Sequence, residues 1–255
     1  MLLAVDIGNT NIDVGVFRGK DLFQHWIIRT EKGKTCDEYK VTLLNLFSIS
    51  QVDVGGIEAV IVSSVVPPIT PVFTDLSQSL FRIKPLIVGP GLKTGMPILY
   101  ENPMEVGADR VVGAIAAYAK YGGPGIVVDF GTATTFDAIS SEGEYLGGAI
   151  APGIQISAEA LYLRTAKLPR IEIAKPKVAI GRSTVASMHS GLFYGYIGLV
   201  SKVIEVIDRE LGGGAVTTAT GGYSALIGGE IEAIQHHEPF LVLEGLRLLY
   251  EKNSG

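Results

Sequence analysis

The chain has 255 residues, a formal net charge of −5 and a mean hydropathy of +0.34. That length buries a core in one large domain or two small ones, while the mild acidity and the lack of any Lys/Arg run exclude the basic stripe that nucleic acid requires. The single Cys36 forms no intrachain disulfide, so a reduced, cytoplasmic setting is expected.

The start, Met1 to Asp6, lacks a basic leader and meets an acid too early for a signal peptide. Leu2 to Val5, Ile12 to Phe17 and Leu22 to Ile28 read as three strands joined by tight turns, the second turn at Arg18-Gly19-Lys20-Asp21. Cys36 to Phe47 has apolar residues near helical spacing, and Ala59 to Ser63 is an apolar run suited to a buried parallel strand. Pro67, Pro68 and Pro71 end that run; a helix over Pro71 to Phe81 and a short strand over Leu86 to Val88 follow. Met104 to Tyr121 reads as one long helix, stopped by Gly122-Gly123-Pro124-Gly125. A second set of strands is expected at Ile126 to Val128, Thr134 to Ser140, Tyr145 to Ile150 and Val216 to Ala219. Helices fit Ile154 to Leu161, Ser183 to Leu211 and Leu243 to Lys252. Ser183 to Ser201 and Leu211 to Gly229 are long uncharged stretches, but hydroxyls, His189 and repeated glycines argue against membrane spans. The first is expected to be a helix buried between domains or subunits.

Two segments say nearly the same thing: Leu3-Ala4-Val5-Asp6-Ile7-Gly8-Asn9-Thr10-Asn11 and Val127-Val128-Asp129-Phe130-Gly131-Thr132-Ala133-Thr134. Each is an apolar strand ending in Asp-x-Gly, then small residues that can donate hydrogen bonds to phosphate oxygens. Gly8 and Gly131 are expected to take positive φ and admit a ligand closely. Asp6 and Asp129 stand where a carboxylate faces a cation or its water shell. The alignment runs on to hairpin turns at Gly19 and Gly143. Two related halves facing one nucleotide is the simplest reading, and no Gly-x-x-x-x-Gly-Lys-[Ser/Thr] loop offers another phosphate cradle. His236-His237 lack a partner at zinc-like spacing and read as solvent-side loop residues; His25 and His189 have no obvious partner either.

The paired hairpins resemble those of the acetate kinase, hexokinase and actin superfamily. More narrowly, the chain resembles the type III pantothenate kinases. That resemblance rests on Asp6 to Asn11, Asn102-Pro103 with Val106 to Arg110, Asp129 to Thr135, Gly147 to Gly153, and Thr165 to Pro169. It implies an α/β fold of two duplicated ribonuclease-H-like domains, an actin-like ATPase fold with an interdomain nucleotide cleft. The expected domains are residues 1–115 and 116–255, hinged through a helix.

The resemblance also implies the activity: ATP-dependent phosphorylation of the primary hydroxyl of pantothenate, the first step of coenzyme A synthesis. It gives ATP to Asp6, Ile7, Gly8, Asn9, Thr10, Asn11, Ile12 and Asp13, with Thr132 reaching the phosphates from the other side. It gives pantothenate to Tyr100, Gly107, Ala108, Asp109, Arg110 and Thr184, with Asp109 as proton acceptor. A monovalent cation, potassium or ammonium, is placed at Asp129, and Asp6 is set for the magnesium that accompanies ATP. A homodimer is implied, with Thr184 reaching the pocket from the partner subunit. Read alone, Asp109-Arg110 at a helix start is more often a cap with a surface ion pair than a catalytic pair, and Ser183 or Thr184 serves as an N-cap. Gly221-Gly222 resembles the superfamily's adenosine turn. The alternatives are another small-molecule kinase of the superfamily or a non-catalytic nucleotide-binding regulator.

Overall fold

The computed structural model describes residues 1–254. Strands β1 (Leu2–Ile7), β2 (Asn11–Arg18) and β3 (Asp21–Arg29) form an antiparallel meander, followed by α1 (Cys36–Ile49), β4 (Ala59–Ser64), α2 (Thr70–Phe81) and β5 (Leu86–Ile87). The sheet order is β3-β2-β1-β4-β5, with β4 parallel to β1 and β5 parallel to β4. After α3 (Ala108–Tyr121) the pattern returns as β6 (Gly125–Phe130), β7 (Ala133–Ile139), β8 (Tyr145–Pro152), α4 (Ile154–Arg164), α5 (Thr184–Glu210), β9 (Val216–Thr220), α6 (Ser224–Ile227) and β10 (His236–His237). Its sheet, β8-β7-β6-β9-β10, repeats the first strand for strand and direction for direction. The last helix is α7 (Leu241–Asn253).

The residues fall into two compact units. One holds Met1–Gly95, Asn102–Ala116 and the chain from Val242 on; the other holds Met96–Glu101 and Ala117–Leu241. In the first unit, β1 is buried except at Asp6, as befits a central strand covered on both faces. One face of β1, β2 and β4 packs on Tyr39, Leu43 and Phe47 of α1 and Phe73 and Leu76 of α2. Thr35 caps α1 reciprocally: its hydroxyl accepts from Glu38 N and its N–H donates to Glu38 Oε2. In the second unit, Ile126, Val128 and Phe130 of β6 meet Phe193, Tyr196, Val200 and Ile204 of α5.

Four expectations need correction. The helix over Met104 to Tyr121 is broken: Asn102 Oδ1 accepts from Met104 N, a 3-10 turn spans Pro103–Glu105, Val106 is extended, and α3 begins only at Ala108. The local Asn102 cap competes with the helix and wins for one turn. Gly8 and Gly131 do not take positive φ, whereas Gly19 and Gly143 do, at φ 60 and 81. His236 and His237 form β10 beside β9, and the His236 ring lies flat on Tyr121 with centroids 3.9 Å apart. On the single chain α5 is buried at Met188, Ser190, Phe193, Tyr196, Val200 and Ile204 and uncovered along most of its remaining length. It is long and apolar enough to cross a membrane, yet only 28% of its most apolar window is covered. His25 and His189 do find partners, Asp13 Oδ1 and the Glu172 carbonyl, each at 3.0 Å.

The remaining face of the first sheet carries α7. Gly15 leaves room for Leu243, and Gly245 brings α7 onto α3: a Cβ there would lie 2.3 Å from the Val112 carbonyl oxygen. Alanine at 245 gains helix propensity of about 1 kcal/mol but meets fixed backbone, so crowding decides the sign. Gly245→Ala is therefore expected to destabilise by about 1–3 kcal/mol, read as a lowered denaturant midpoint at unchanged m-value. A midpoint at or above wild type would show that α7 shifts freely.

Candidate active site

Each Asp-x-Gly motif sits at the end of a central strand and turns back into its neighbour. In the first unit the turn runs from Gly8 to Thr10, and Gly8 N donates to the Asn11 carbonyl at 2.9 Å. A Cβ on Gly8 would stand 3.0 Å from that same oxygen, so glycine is needed for space rather than for φ. The turn is pinned from outside by Thr30, the residue after β3. Its N–H donates to the Thr10 carbonyl at 2.9 Å and its hydroxyl to the Gly8 carbonyl at 2.7 Å.

The second unit repeats the device. Its turn, Gly131-Thr132, is one residue shorter: Phe130 pairs with Thr134, where Ile7 pairs with Ile12. Gly153, the residue after β8, donates its N–H to the Thr132 carbonyl at 3.1 Å, as Thr30 does to Thr10. A Cβ on Gly153 would lie 2.2 Å from the Thr132 carbonyl oxygen, so no other residue closes this turn as tightly. Gly221, at φ 87, brings the chain after β9 against Asp129: its Cβ would lie 2.3 Å from Asp129 Oδ1. Sequence reasoning does not find Thr30, because nothing in its residue type announces it, and although Gly153 closes the Gly147 to Gly153 block it is not read there as a support; their equivalent places after the third strand of each repeat are the further signal.

Asp6 and Asp13 are Cα partners across β1 and β2, so both carboxylates lie on one sheet face, and His25 reaches Asp13 at 3.0 Å. The segment Gly107 to Arg110 belongs to the same unit. Gly107 packs on Val65, whose N–H donates to the Ile7 carbonyl at 3.0 Å, so it stands at the same end of the sheet as the Gly8 turn. The space beside Gly107 is taken by Asp109 itself: a Cβ on Gly107 would meet Asp109 Oδ1 at 2.5 Å. Arg110 N donates to that oxygen at 2.8 Å. Burial pushes the Asp109 carboxyl above its ordinary value, against the opposing pull of the Arg110 N–H and guanidinium.

The other predicted residues lie in the second unit. Asp129 and Thr132 share the β6–β7 turn region. Tyr100 packs on Gly147 of β8 and against Tyr145, at 6.5 Å between ring centroids. Tyr145 in turn donates to buried Asp137 at 2.6 Å, which also accepts from Thr135 at 3.2 Å. Asp137 is a structural carboxylate that the strand alternation in Thr134 to Ile139 did not single out. Ser183, not Thr184, caps α5, its hydroxyl accepting from Ala186 N at 3.2 Å. Thr184 lines an open cavity of about 800 Å³ between α4, α5 and the Leu168 to Ser183 segment, whose walls include none of the other predicted residues.

Among the described residues no three His, Cys, Asp or Glu side chains converge as a metal cage. Single carboxylates beside phosphate turns fit a different chemistry, in which magnesium keeps its waters and is held by one or two carboxylates together with substrate phosphates.

Two solved structures superpose over nearly the whole chain and show the fold alone. The activator of 2-hydroxyisocaproyl-CoA dehydratase from Clostridium difficile does so with TM-score 0.54 at 12% identity, covering 99% of this chain and 95% of that one. The (R)-2-hydroxyglutaryl-CoA dehydratase component A from Acidaminococcus fermentans does so with TM-score 0.55 at 11% identity, covering 100% and 99%. The architecture is thus the actin-like ATPase fold. A type III pantothenate kinase from Moorella thermoacetica is 53% identical over 254 residues, and one from Myxococcus xanthus 51% over 255, each comparison covering 100% of both chains. The family model for type III pantothenate kinase matches residues 2–206, and with these relatives it places the chain in the type III pantothenate kinase family.

Proposed function

We propose that this enzyme transfers the γ-phosphoryl group of ATP to the primary hydroxyl of pantothenate, giving 4'-phosphopantothenate and ADP, the first step of coenzyme A synthesis. The observation that carries the reading is the Asp109 carboxylate, folded over Gly107 at the end of the sheet where the Gly8 turn lies. Asp109 accepts the proton of the attacking hydroxyl as its oxygen bonds to phosphorus and the bond to ADP breaks. A carboxyl raised above its ordinary value is a stronger base for that step. Gly107, Ala108 and Arg110 position the acceptor, Arg110 holding its carboxylate through paired hydrogen bonds. Tyr100 and Thr184 complete the pantothenate site.

We assign ATP binding to the Asp6 to Asp13 segment and to Thr132, and phosphoryl transfer is catalysed mainly by positioning and charge stabilisation. Magnesium bound with ATP would neutralise charge on the phosphate oxygens, and Asp6 faces its water shell. Asp129 holds potassium or ammonium beside the phosphates. The exposed apolar residues Val185, Leu199 and Val206 leave one side of α5 uncovered, and a second copy of this chain covers it. Thr184 then serves the partner's site. The reading places the enzyme in the cytoplasm, where Cys36 stays reduced.

Substrate panels, the Asp109→Asn variant, pH profiles, cation exchange and sedimentation check these roles. With pantothenate, and not with a panel of sugars or acetate, ATP is consumed; Asp109→Asn keeps nucleotide binding but loses about 10²-fold or more in kcat. Because the base must be ionised, kcat/KM falls as pH drops through the raised Asp109 pKa, so this acid limb lies at higher pH than for an ordinary aspartate. Near-wild-type turnover in the Asn variant would remove Asp109 from the chemistry. Activity is expected to fall sharply in sodium-only buffer and to return on titrating potassium; equal rates would leave Asp129 a structural role. Sedimentation of the wild type should give a dimer, with Leu199→Arg monomeric and impaired, whereas a fully active Leu199→Arg monomer would rule out the shared site.

A further inference from the structure

The sheet face that carries Asp6 contains a polar group with no role so far. Asp6 on β1 is in register with Ser63 on β4, and Asp129 on β6 is in register with Thr220 on β9. Paired residues on neighbouring strands share a face about 4.8 Å apart, so each repeat sets a hydroxyl beside its motif aspartate. Ser63 is fully buried, and its Oγ has no hydrogen-bond partner. Its neighbour Ser64, on the opposite face, is fully engaged: its Oγ accepts from Val66 N at 3.1 Å and from Thr70 Oγ1 at 2.9 Å.

A buried, unpaired hydroxyl is costly, and alanine would occupy the same place without that cost. The pattern is that of a group kept for a ligand at the expense of stability. Chemistry supports it. The carboxylate oxygens of Asp6 and Asp13 accept hydrogen bonds, whereas a hydroxyl donates, which is what a phosphate oxygen or a cation-bound water beside two carboxylates needs.

We propose that Ser63 is a ligand-binding residue whose hydroxyl donates to an oxygen of the hydrated magnesium–nucleotide group that Asp6 faces, with Thr220 standing in the corresponding place beside Asp129. The proposal rests on the kinase reading of the same turn.

The test is Ser63→Ala, read by thermal melting and by calorimetric titration with ADP, in magnesium and in EDTA. Removal of an orphaned hydroxyl leaves the melting midpoint unchanged or raises it, while ADP affinity weakens by about tenfold, the scale of one hydrogen bond to a charged ligand. Loss confined to magnesium assigns the contact to a cation-bound water, and loss in both buffers assigns it to phosphate; either carries the proposal. Ser63→Thr, which keeps the hydroxyl, is expected to restore binding. If Ser63→Ala does not fold, Ser63→Cys keeps the volume with a weaker donor and carries the same expectation. Wild-type ADP affinity in Ser63→Ala would overturn the role of Ser63 and leave the kinase reading intact. A wild-type protein that neither binds ADP nor consumes ATP with pantothenate would overturn both.

Discussion

The structure depends on one backbone hydrogen bond made twice. Thr30 N closes on the Thr10 carbonyl, and Gly153 N closes on the Thr132 carbonyl. Each bond ties the end of a third strand to the turn between the first two, and so fixes three strand ends relative to one another. Without it an Asp-x-Gly turn is a flexible hairpin tip, and the ordering of its amides would have to be done by the ligand at the expense of affinity. With it, the amides and hydroxyls hold their directions before the ligand arrives. That is the form of stabilisation most useful to phosphoryl transfer, where little covalent work falls to the protein.

Asp109 shows a second balance. Its carboxylate is held by Arg110 N and drawn toward ionisation by the Arg110 charge, yet burial dominates and raises its pKa. Gly107 makes the geometry possible, since any side chain there would push Oδ1 away. Partial desolvation of this kind makes a carboxylate a stronger base, and the neighbouring arginine opposes the upward shift without reversing it.

Strand and helix order was legible because the central strands are apolar runs and the turn residues are marked by glycine. Asp6 and Asp129 stood out through the repeated Asp-x-Gly spacing, whereas Asp109 was singled out only by the family resemblance. What failed to show lies in tertiary context. The break before α3 depends on an Asn102 cap competing with helix, and periodicity over Met104 to Tyr121 does not register that competition. A two-residue strand such as His236–His237 has no alternation to read; it forms because β9 offers an edge and Tyr121 a ring to stack on. Gly8 and Gly131 are crowded by a nearby carbonyl oxygen, at 3.0 and 3.3 Å from where a Cβ would stand, rather than selected by positive φ, and crowding of that kind is not written in the local sequence. Thr30, Gly153 and Ser63 are ordinary residues whose importance is a matter of register.

The discontinuity of the first unit has a kinetic consequence. Its β-sheet is synthesised early, but α7, which meets Gly15 through Leu243 and Val112 through Gly245, comes after residues 117–241 have been made. At about 5–20 residues per second, the nascent sheet waits on the order of ten seconds with that face uncovered. During this interval the exposed strands and α3 are open to association with other chains. Every residue of the second unit, by contrast, has been synthesised before α7 emerges, so its contacts are all available while the first unit still lacks its last helix.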